Sequence, residues 1–320
     1  MSSLFNPTHL LHLCQKYNLH PSKKYGQNYL IDPEVIETIV AAAELKKDDM
    51  VVEVGPGFGV LTAVLAPEVK QVIAFEIEKK LQPYWTEIKE IEKYRNIEIV
   101  WGNVLMSLRG GRNDRRGNPP VSRTNFFNNT DSESNGIAAS SRCESGLLAM
   151  TRYKVVANLP YQITSPVIRL FLELENPPTE MVLMVQKEVA ERICAKAGDM
   201  SLLSVAVQYY TDAKIIQVVP RASFWPVPQV DSAVIKIKIK KEKLKNKEFD
   251  EMFFKIVKAG FAQRRKLLSK NLEPVIGKKN KAQFLKIVDE LALLPTVRAQ
   301  ELSVEQWKEL VHKVSEVKSL

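Results

Sequence analysis

Apolar residues along the first third of the chain alternate between short continuous runs and helical stripes. Asp32-Pro33-Glu34 reads as a helix start, with Asp32 as the N-cap and Pro33 at the first helical position; Val35, Ile36, Ile39 and Val40 follow at helical spacing. MVVEVG (Met50–Gly55) predicts a strand that runs into a glycine-rich turn, PGFG. VLTAVLA predicts a helix and QVIAFEI (Gln71–Ile77) a second strand. Strand, glycine turn, helix and strand in this order make a βαβ unit. A helix over 79–94 and a strand IEIVWG (Ile97–Gly102) continue the alternation, which predicts a doubly wound parallel sheet.

The alternation breaks at 106–152, a Gly-, Asn-, Ser- and Arg-rich stretch without apolar period before Leu147. Such a segment reads as a flexible insertion, 106–150, more readily an inert surface loop than an RNA-contacting arm built on Arg109, Arg112, Arg115 and Arg116. Order resumes with a strand YKVVAN (Tyr153–Asn158), a helix after Pro166, a strand MVLMVQ (Met181–Gln186), a helix from Lys187, a helical SLLSVAVQYY and a strand AKIIQVV. After the loop VPRASFWPVPQV comes DSAVIKIKIK, whose alternation predicts a strand with one buried face and Lys236, Lys238 and Lys240 on a solvated one. The last two strands would form an antiparallel pair at a sheet edge. From Glu242 onward the pattern is helical. The expected domains are therefore 1–241, carrying the sheet, and a small helical domain, 242–320.

Charge and cysteine usage narrow the function classes. Lys and Arg number 46 against 37 Asp and Glu, a net +9 that fits a polyanion partner without requiring one. Three cysteines, Cys14, Cys143 and Cys194, stand far apart with no CxxC spacing, so neither a metal site nor a disulfide framework is expected. That usage fits a reducing, cytoplasmic compartment. No apolar run reaches the roughly 18 residues of a membrane span, and no targeting segment is expected.

Two constellations carry chemistry. Glu53-Val54-Gly55-Pro56-Gly57-Phe58-Gly59 ends the first predicted strand, where glycines allow positive φ and close backbone approach to a ligand. Glu76, at the end of the next strand, can accept hydrogen bonds from both hydroxyls of a ribose. NAD and S-adenosylmethionine both satisfy that pair. The second constellation is Asn158-Leu159-Pro160-Tyr161, directly after a strand. An adenine amino group is a poor nucleophile, its lone pair being delocalised into the ring. The Asn158 side-chain oxygen and the Leu159 carbonyl supply two acceptors for its N–H bonds. Pro160 stiffens the turn, and Tyr161 offers a π face to an extruded base. This favours amino-group methylation over hydride transfer, for which no acid or base stands out.

With these motifs in place, the chain resembles the ribosomal RNA adenine N6,N6-dimethyltransferases of the bacterial small-subunit, kasugamycin-resistance type. The resemblance rests on KKYGQNYLID (Lys23–Asp32), VVEVGPGFGVLT (Val51–Thr62), FEIEKKL (Phe75–Leu81), WGNVL (Trp101–Leu105), NLPYQITSPV (Asn158–Val167), VQKEVAERI (Val185–Ile193), VPRASFWPVPQVDSAVI (Val219–Ile235) and FAQRRKLLSKNL (Phe261–Leu272). It implies a Rossmann-like methyltransferase sheet with S-adenosyl-L-methionine as cofactor. Asn28, Leu30, Gly55, Gly57, Glu76, Asn103 and Asn158 would contact it, Asn103 at its adenine and Asn158 beside its methyl group. Phe224 would sandwich the target base opposite Tyr161. Asn103 stands where the family usually has Asp, which exchanges a charge-assisted bond for a neutral one. The insertion is the second departure.

The implied substrate is a pair of adjacent adenines near the 3′ end of small-subunit (16S) ribosomal RNA in a pre-30S particle, methylated by a monomer during ribosome biogenesis. Phosphate contacts are expected from Lys23 and Lys24 and from a helical, amphipathic segment bearing Arg264, Arg265 and Lys266 with Lys270, extended by Lys278, Lys279 and Lys281. A large-subunit rRNA methyltransferase of the antibiotic-resistance type and a catalytically weakened assembly factor are the alternatives. FAQRRK and SFWPVPQVDSAV favour the small-subunit type, and an intact NLPY with Glu76 favours an enzyme.

Overall fold

The computed structural model describes residues 2–20, 28–108, 152–240 and 247–318. These form two compact units: 2–20, 28–108, 152–190 and 213–239 in the first, 191–212, 240 and 247–318 in the second. The helical unit thus includes 191–212 in addition to the expected C-terminal helices. Of the 106–150 insertion, only its first three residues are described, and Met106 and Ser107 close a short helix there.

The first unit is built on a seven-stranded sheet. Its strands are β2 (Met50–Val54), β3 (Gln71–Glu76), β4 (Ile97–Trp101), β5 (Lys154–Asn158), β6 (Glu180–Gln186), β7 (Thr211–Val219) and β9 (Ser232–Ile239), in the spatial order β4-β3-β2-β5-β6-β9-β7. β4, β3, β2, β5 and β6 are parallel neighbours, and β9 runs antiparallel to β6. The order reverses at β2: the chain first builds outward to β4, then returns to lay β5 on the other side. In open α/β sheets that reversal leaves a crevice at the carboxyl ends of the two flanking strands. Here those ends are Gly55 and Asn158. A separate two-stranded ribbon pairs β1 (Tyr29–Leu30) with β8 (Phe224–Trp225). Its strands are too short to carry a period, and the sequence pattern gave no sign of them.

Helices α1 (Pro7–Lys16), α2 (Pro33–Ala43), α3 (Thr62–Leu65), α4 (Gln82–Lys89), α5 (Val104–Ser107) and α6 (Thr164–Glu173) also belong to this unit, and α7 (Lys187–Ile193) begins in it. Two helices are shorter than the pattern suggests. The stretch over 79–94 breaks into a 3-10 turn, α4 and a second 3-10 turn. VLTAVLA gives only α3 followed by a 3-10 turn, where Pro67 interrupts the α-helical ladder.

α2 begins as expected, with the Asp32 side chain accepting from the Glu34 N–H at 3.1 Å. Its far end draws a lysine of β9 out of solvent. The Lys154 ammonium donates to the Ala43 and Glu44 carbonyls, both at 2.8 Å, and the Lys236 ammonium to the Ala42 carbonyl at 2.8 Å. Cations at a helix C-terminus meet its unpaired carbonyls and its negative dipole end. Lys154 also stands 3.1 Å from Asp49 and 3.0 Å from Glu180 Oε1, the latter a charge contact rather than a directed hydrogen bond. Lys236 pairs with Glu44 at 2.7 Å and Glu180 at 3.3 Å. Lys236 is therefore buried and not on a solvated face; β9 lies inside the sheet, covered on both sides, and only Lys238 of that strand is exposed.

The second unit packs α8 (Leu202–Tyr210), α9 (Lys247–Gly260), α10 (Leu268–Ile276), α11 (Lys281–Glu290) and α12 (Val304–Lys318) around Phe253, Val257, Leu272, Trp307 and Leu310. Phe253, Ile256 and Val257 form a buried stripe on α9, but Phe261 and QRRK, expected on the same helix, lie beyond its end. α9 stops at Gly260, which is pressed against the Trp307 indole where a Cβ would not fit. Beyond it the Asn271 amide donates to the carbonyls of Gly260 (2.6 Å) and Gln263 (2.9 Å), pinning 261–267 as a turn. Arg264, Arg265 and Lys266 stand exposed on that turn, and Lys270 is exposed on α10. Among the described residues no helix is long and apolar enough to cross a membrane.

Candidate active site

A cavity opens at the switch point. Every cofactor and base contact expected from sequence lines it: Asn28, Leu30, Gly55, Gly57, Glu76, Asn103, Asn158, Leu159, Pro160, Tyr161 and Phe224. Of the expected RNA contacts, Lys23 and Lys24 fall outside the described residues, and Arg264, Arg265, Lys266 and Lys270 belong to the second unit.

The glycine loop forms one wall. Gly57 has φ +56° and lies so close to Tyr29 that a Cβ would come within 3.3 Å of that ring. Gly59, at φ +78°, is tighter still: its Cβ would sit 2.7 Å from Trp85. Side chains behind the loop hold its carbonyls, Trp85 Nε1 donating to Gly57 O (3.0 Å) and Tyr84 Oη to Phe58 O (2.6 Å). The loop is thus fixed from behind and bare in front, as a backbone surface for a ligand must be.

Glu76 faces the loop from the end of β3. Its Oε2 accepts from the Gly57 N–H (3.1 Å) and its Oε1 from the Glu78 N–H (2.8 Å). A carboxylate offers about four lone-pair sites, so each oxygen keeps capacity for a ribose hydroxyl. Burial pushes the carboxyl above its ordinary range, and the backbone N–H groups pull it back.

Glu53 is a cavity residue to which sequence reasoning gave no role. It is 2% exposed, and its Oε2 lacks a hydrogen-bond partner, as does the nearby Thr62 hydroxyl. Burial, reinforced by the negative Glu76, pushes its carboxyl up to about 8; the Thr62 hydroxyl lies close enough to oppose this in part, but not in hydrogen-bond geometry. Glu53 and Glu76 are the carboxyl groups among the described lining residues, and no described Lys or Arg joins them. Such a cavity suits a cationic ligand with a ribose. An orphaned carboxylate oxygen, a bare glycine cradle and a ribose acceptor together fit S-adenosylmethionine, which carries a sulfonium and an ammonium.

Asn103 N-caps α5, its Oδ1 accepting from the Leu105 N–H at 2.9 Å. The oxygen retains a second lone pair toward the cavity it lines. Asn158, the last residue of β5, donates from Nδ2 to the Asn28 carbonyl at 3.4 Å, which leaves its Oδ1 as an acceptor. Leu159 is fixed by its N–H to the Met184 carbonyl (3.1 Å). Pro160 then turns the chain into a 3-10 turn leading to α6. The Tyr161 hydroxyl hydrogen-bonds Ser232 Oγ at 2.8 Å, which fixes the ring from β9. Ser232 also escaped the sequence reading. Phe224 reaches the same cavity but is 1% exposed and packed into the core, so little of its ring is presented.

Comparison with known proteins agrees with this geometry. A family model described as ribosomal RNA adenine dimethylase matches residues 18–315. A protein of Dehalococcoides mccartyi named ribosomal RNA small subunit methyltransferase A is 38% identical over 93% of this chain and 90% of its own length. A protein of the same name from Geobacillus is 36% identical, covering 95% of both. Among solved structures, a dimethyladenosine transferase from Plasmodium falciparum superposes with TM-score 0.67 at 25% identity, over 90% of this chain and 98% of that one. The 23S rRNA methyltransferase ErmE shares the fold with TM-score 0.66 at 23% identity, over 89% and 99% respectively.

Proposed function

We infer the following from the premise that the chain belongs to the ribosomal RNA adenine dimethylase family: it uses S-adenosylmethionine to dimethylate the amino groups of two adjacent adenines near the 3′ end of small-subunit ribosomal RNA. The observation that carries this reading is the convergence of Glu76, the glycine loop and Asn158-Leu159-Pro160-Tyr161 on one cavity. Small-subunit RNA is favoured over large-subunit RNA by the names of the relatives that the chain matches over most of its length.

S-adenosylmethionine, when bound, supplies a methyl group already activated by its sulfonium. The chain then has to hold, orient and desolvate. Glu76 takes the ribose, Asn103 the cofactor's adenine, and Gly55, Gly57, Asn28 and Leu30 the rest of the cofactor. The Asn158 Oδ1 and the Leu159 carbonyl accept the two N–H bonds of the target amino group, which turns its nitrogen lone pair out of conjugation and toward the methyl group. Tyr161 supports the base on one face and Phe224 on the other. Among the described residues, the lining holds no basic side chain poised to take the proton. The proton is therefore lost to water after transfer, when the nitrogen has become positive.

RNA affinity comes from phosphate contacts. Arg264, Arg265, Lys266 and Lys270 of the helical unit form the proposed surface. We place the enzyme in the cytoplasm as a monomer acting on a pre-30S particle. The test is transfer of labelled methyl groups to small and large ribosomal subunits lacking the modification, side by side. Label in the small subunit alone supports the reading. Label in the large subunit alone moves the enzyme to the antibiotic-resistance type, and RNA binding without transfer makes it an assembly factor.

A further inference from the structure

The β1–β8 ribbon joins two segments that are far apart in sequence and have different tasks in the reading above. Tyr29 lies opposite Trp225 and Leu30 opposite Phe224. β1 thus carries cofactor-cavity residues, and β8 carries the base-facing aromatic. The Tyr29 and Trp225 rings stack with centroids 6.2 Å apart and planes at 20°. Tyr29 in turn packs on Phe58 of the glycine loop at 5.2 Å and comes close to Gly57, whose N–H is held by Glu76. The ribbon is also tied at its base. The Ile31 N–H donates to the Ser223 carbonyl (2.9 Å), and the Ser223 hydroxyl to Asp32 Oδ2 (2.8 Å), the carboxylate that caps α2. A continuous set of contacts therefore runs from Phe224 through Trp225 and Tyr29 to Gly57 and Glu76.

We propose that this ribbon makes cofactor binding and target-base binding mutually reinforcing, with the Tyr29–Trp225 stack as the coupling pair and Trp225 as a positioning residue. The proposal rests on the methyltransferase reading of the cavity. Two strands of two residues each are marginal alone, so the ribbon is held by the contacts just described and shifts as a unit when either strand shifts. A cofactor held by Asn28 and Leu30 immobilises β1 and gives β8 a fixed template. Because Phe224 is almost fully covered, stacking a base on it requires β8 to readjust, and its register partner Leu30 feels that change. Whichever ligand binds first bears the cost of readjusting the ribbon, and the second binds one already readjusted. Linkage requires the two affinities to change by the same factor.

The test is equilibrium dialysis of labelled S-adenosylhomocysteine, which cannot react, against the full chain. It is done alone and with saturating small ribosomal subunits that lack adenine dimethylation. The expected result is at least about fivefold tighter binding with subunits present, within the usual range of such couplings. Trp225→Ala should bring that ratio close to one, while Trp225→Phe, which keeps a flat ring against Tyr29, should retain most of it. Should Trp225→Ala not fold, Ser223→Ala, which removes only the tie to Asp32, serves in its place and should shrink the ratio. Equal or weaker binding with subunits present overturns the proposal, as does an undiminished ratio in Trp225→Ala or its substitute. A wild-type protein that methylates these subunits without coupling refutes the ribbon alone. One that transfers no methyl group to them refutes the substrate reading.

Discussion

At the scale of single residues, the cofactor cavity is governed by where charge is buried. Glu53 is the clearest case. Its folded-state pKa of about 8 lies above that of an ordinary carboxyl, so the folded chain binds a proton more tightly than the unfolded one. Stability therefore falls as pH rises from the ordinary carboxyl range toward about 8, the window set by that shift. Glu53→Gln removes the effect. Denaturant midpoints of wild type and variant should differ progressively in the variant's favour between pH 5 and pH 8, and parallel curves would refute this. A cationic ligand draws the proton off, so the wild-type advantage in S-adenosylmethionine affinity over Glu53→Gln should grow across the same window. Asn103 gives a second test. Asp is as good an N-cap as Asn, so Asn103→Asp should leave the fold intact and strengthen cofactor binding by about 1 kcal/mol, roughly fivefold, through a charge-assisted bond. Calorimetric titration with S-adenosylhomocysteine would measure it.

At the scale of elements, α2 links the rear of the sheet to the site. Asp32 caps it beside the ribbon, and Lys154 and Lys236 hold its last carbonyls. Lys154→Met would leave the nearly buried Asp49 without its ammonium partner and Glu180 with Lys236 alone, and should cost about 3 kcal/mol, read as a lowered denaturant midpoint. Lys238→Met, on the exposed position of the same sheet, should change little. The sheet itself was legible from sequence because β2, β3 and β5 are largely apolar runs, β2 ending at the glycine turn and β5 at NLPY, and a strand covered on both faces leaves that signature. The Glu76 and Asn158 positions followed, since each ends such a run. What failed were features set by tertiary partners. Lys236 reads as solvated until Glu44 and Glu180 are brought to it. QRRK reads as helical until Asn271, from the next helix, takes the carbonyls of Gly260 and Gln263 and holds the segment as a turn. The two-residue strands of the ribbon have no local period at all.

At the scale of the whole molecule, the cavity and the exposed basic turn sit on different compact units. The cavity residues all belong to the sheet unit, and the exposed Arg264, Arg265, Lys266 and Lys270 to the helical one. Replacing Arg264, Arg265 and Lys266 together by Ala should weaken subunit binding and flatten its salt dependence by up to about three in log–log slope, about one per lost phosphate contact. S-adenosylhomocysteine affinity in the absence of RNA should be unchanged; a parallel loss there would mean that the turn serves the fold instead. The central claim is adenine dimethylation at the Asn158 site. It is tested most directly by mass analysis of nucleosides from small-subunit RNA after incubation with S-adenosylmethionine and either wild type or Asn158→Ala. The expected result is two N6,N6-dimethyladenosines per particle, at adjacent positions near the 3′ end, with wild type and essentially none with the variant. Dimethyladenosine formed equally well by Asn158→Ala, or methyl groups found on another atom, would contradict it.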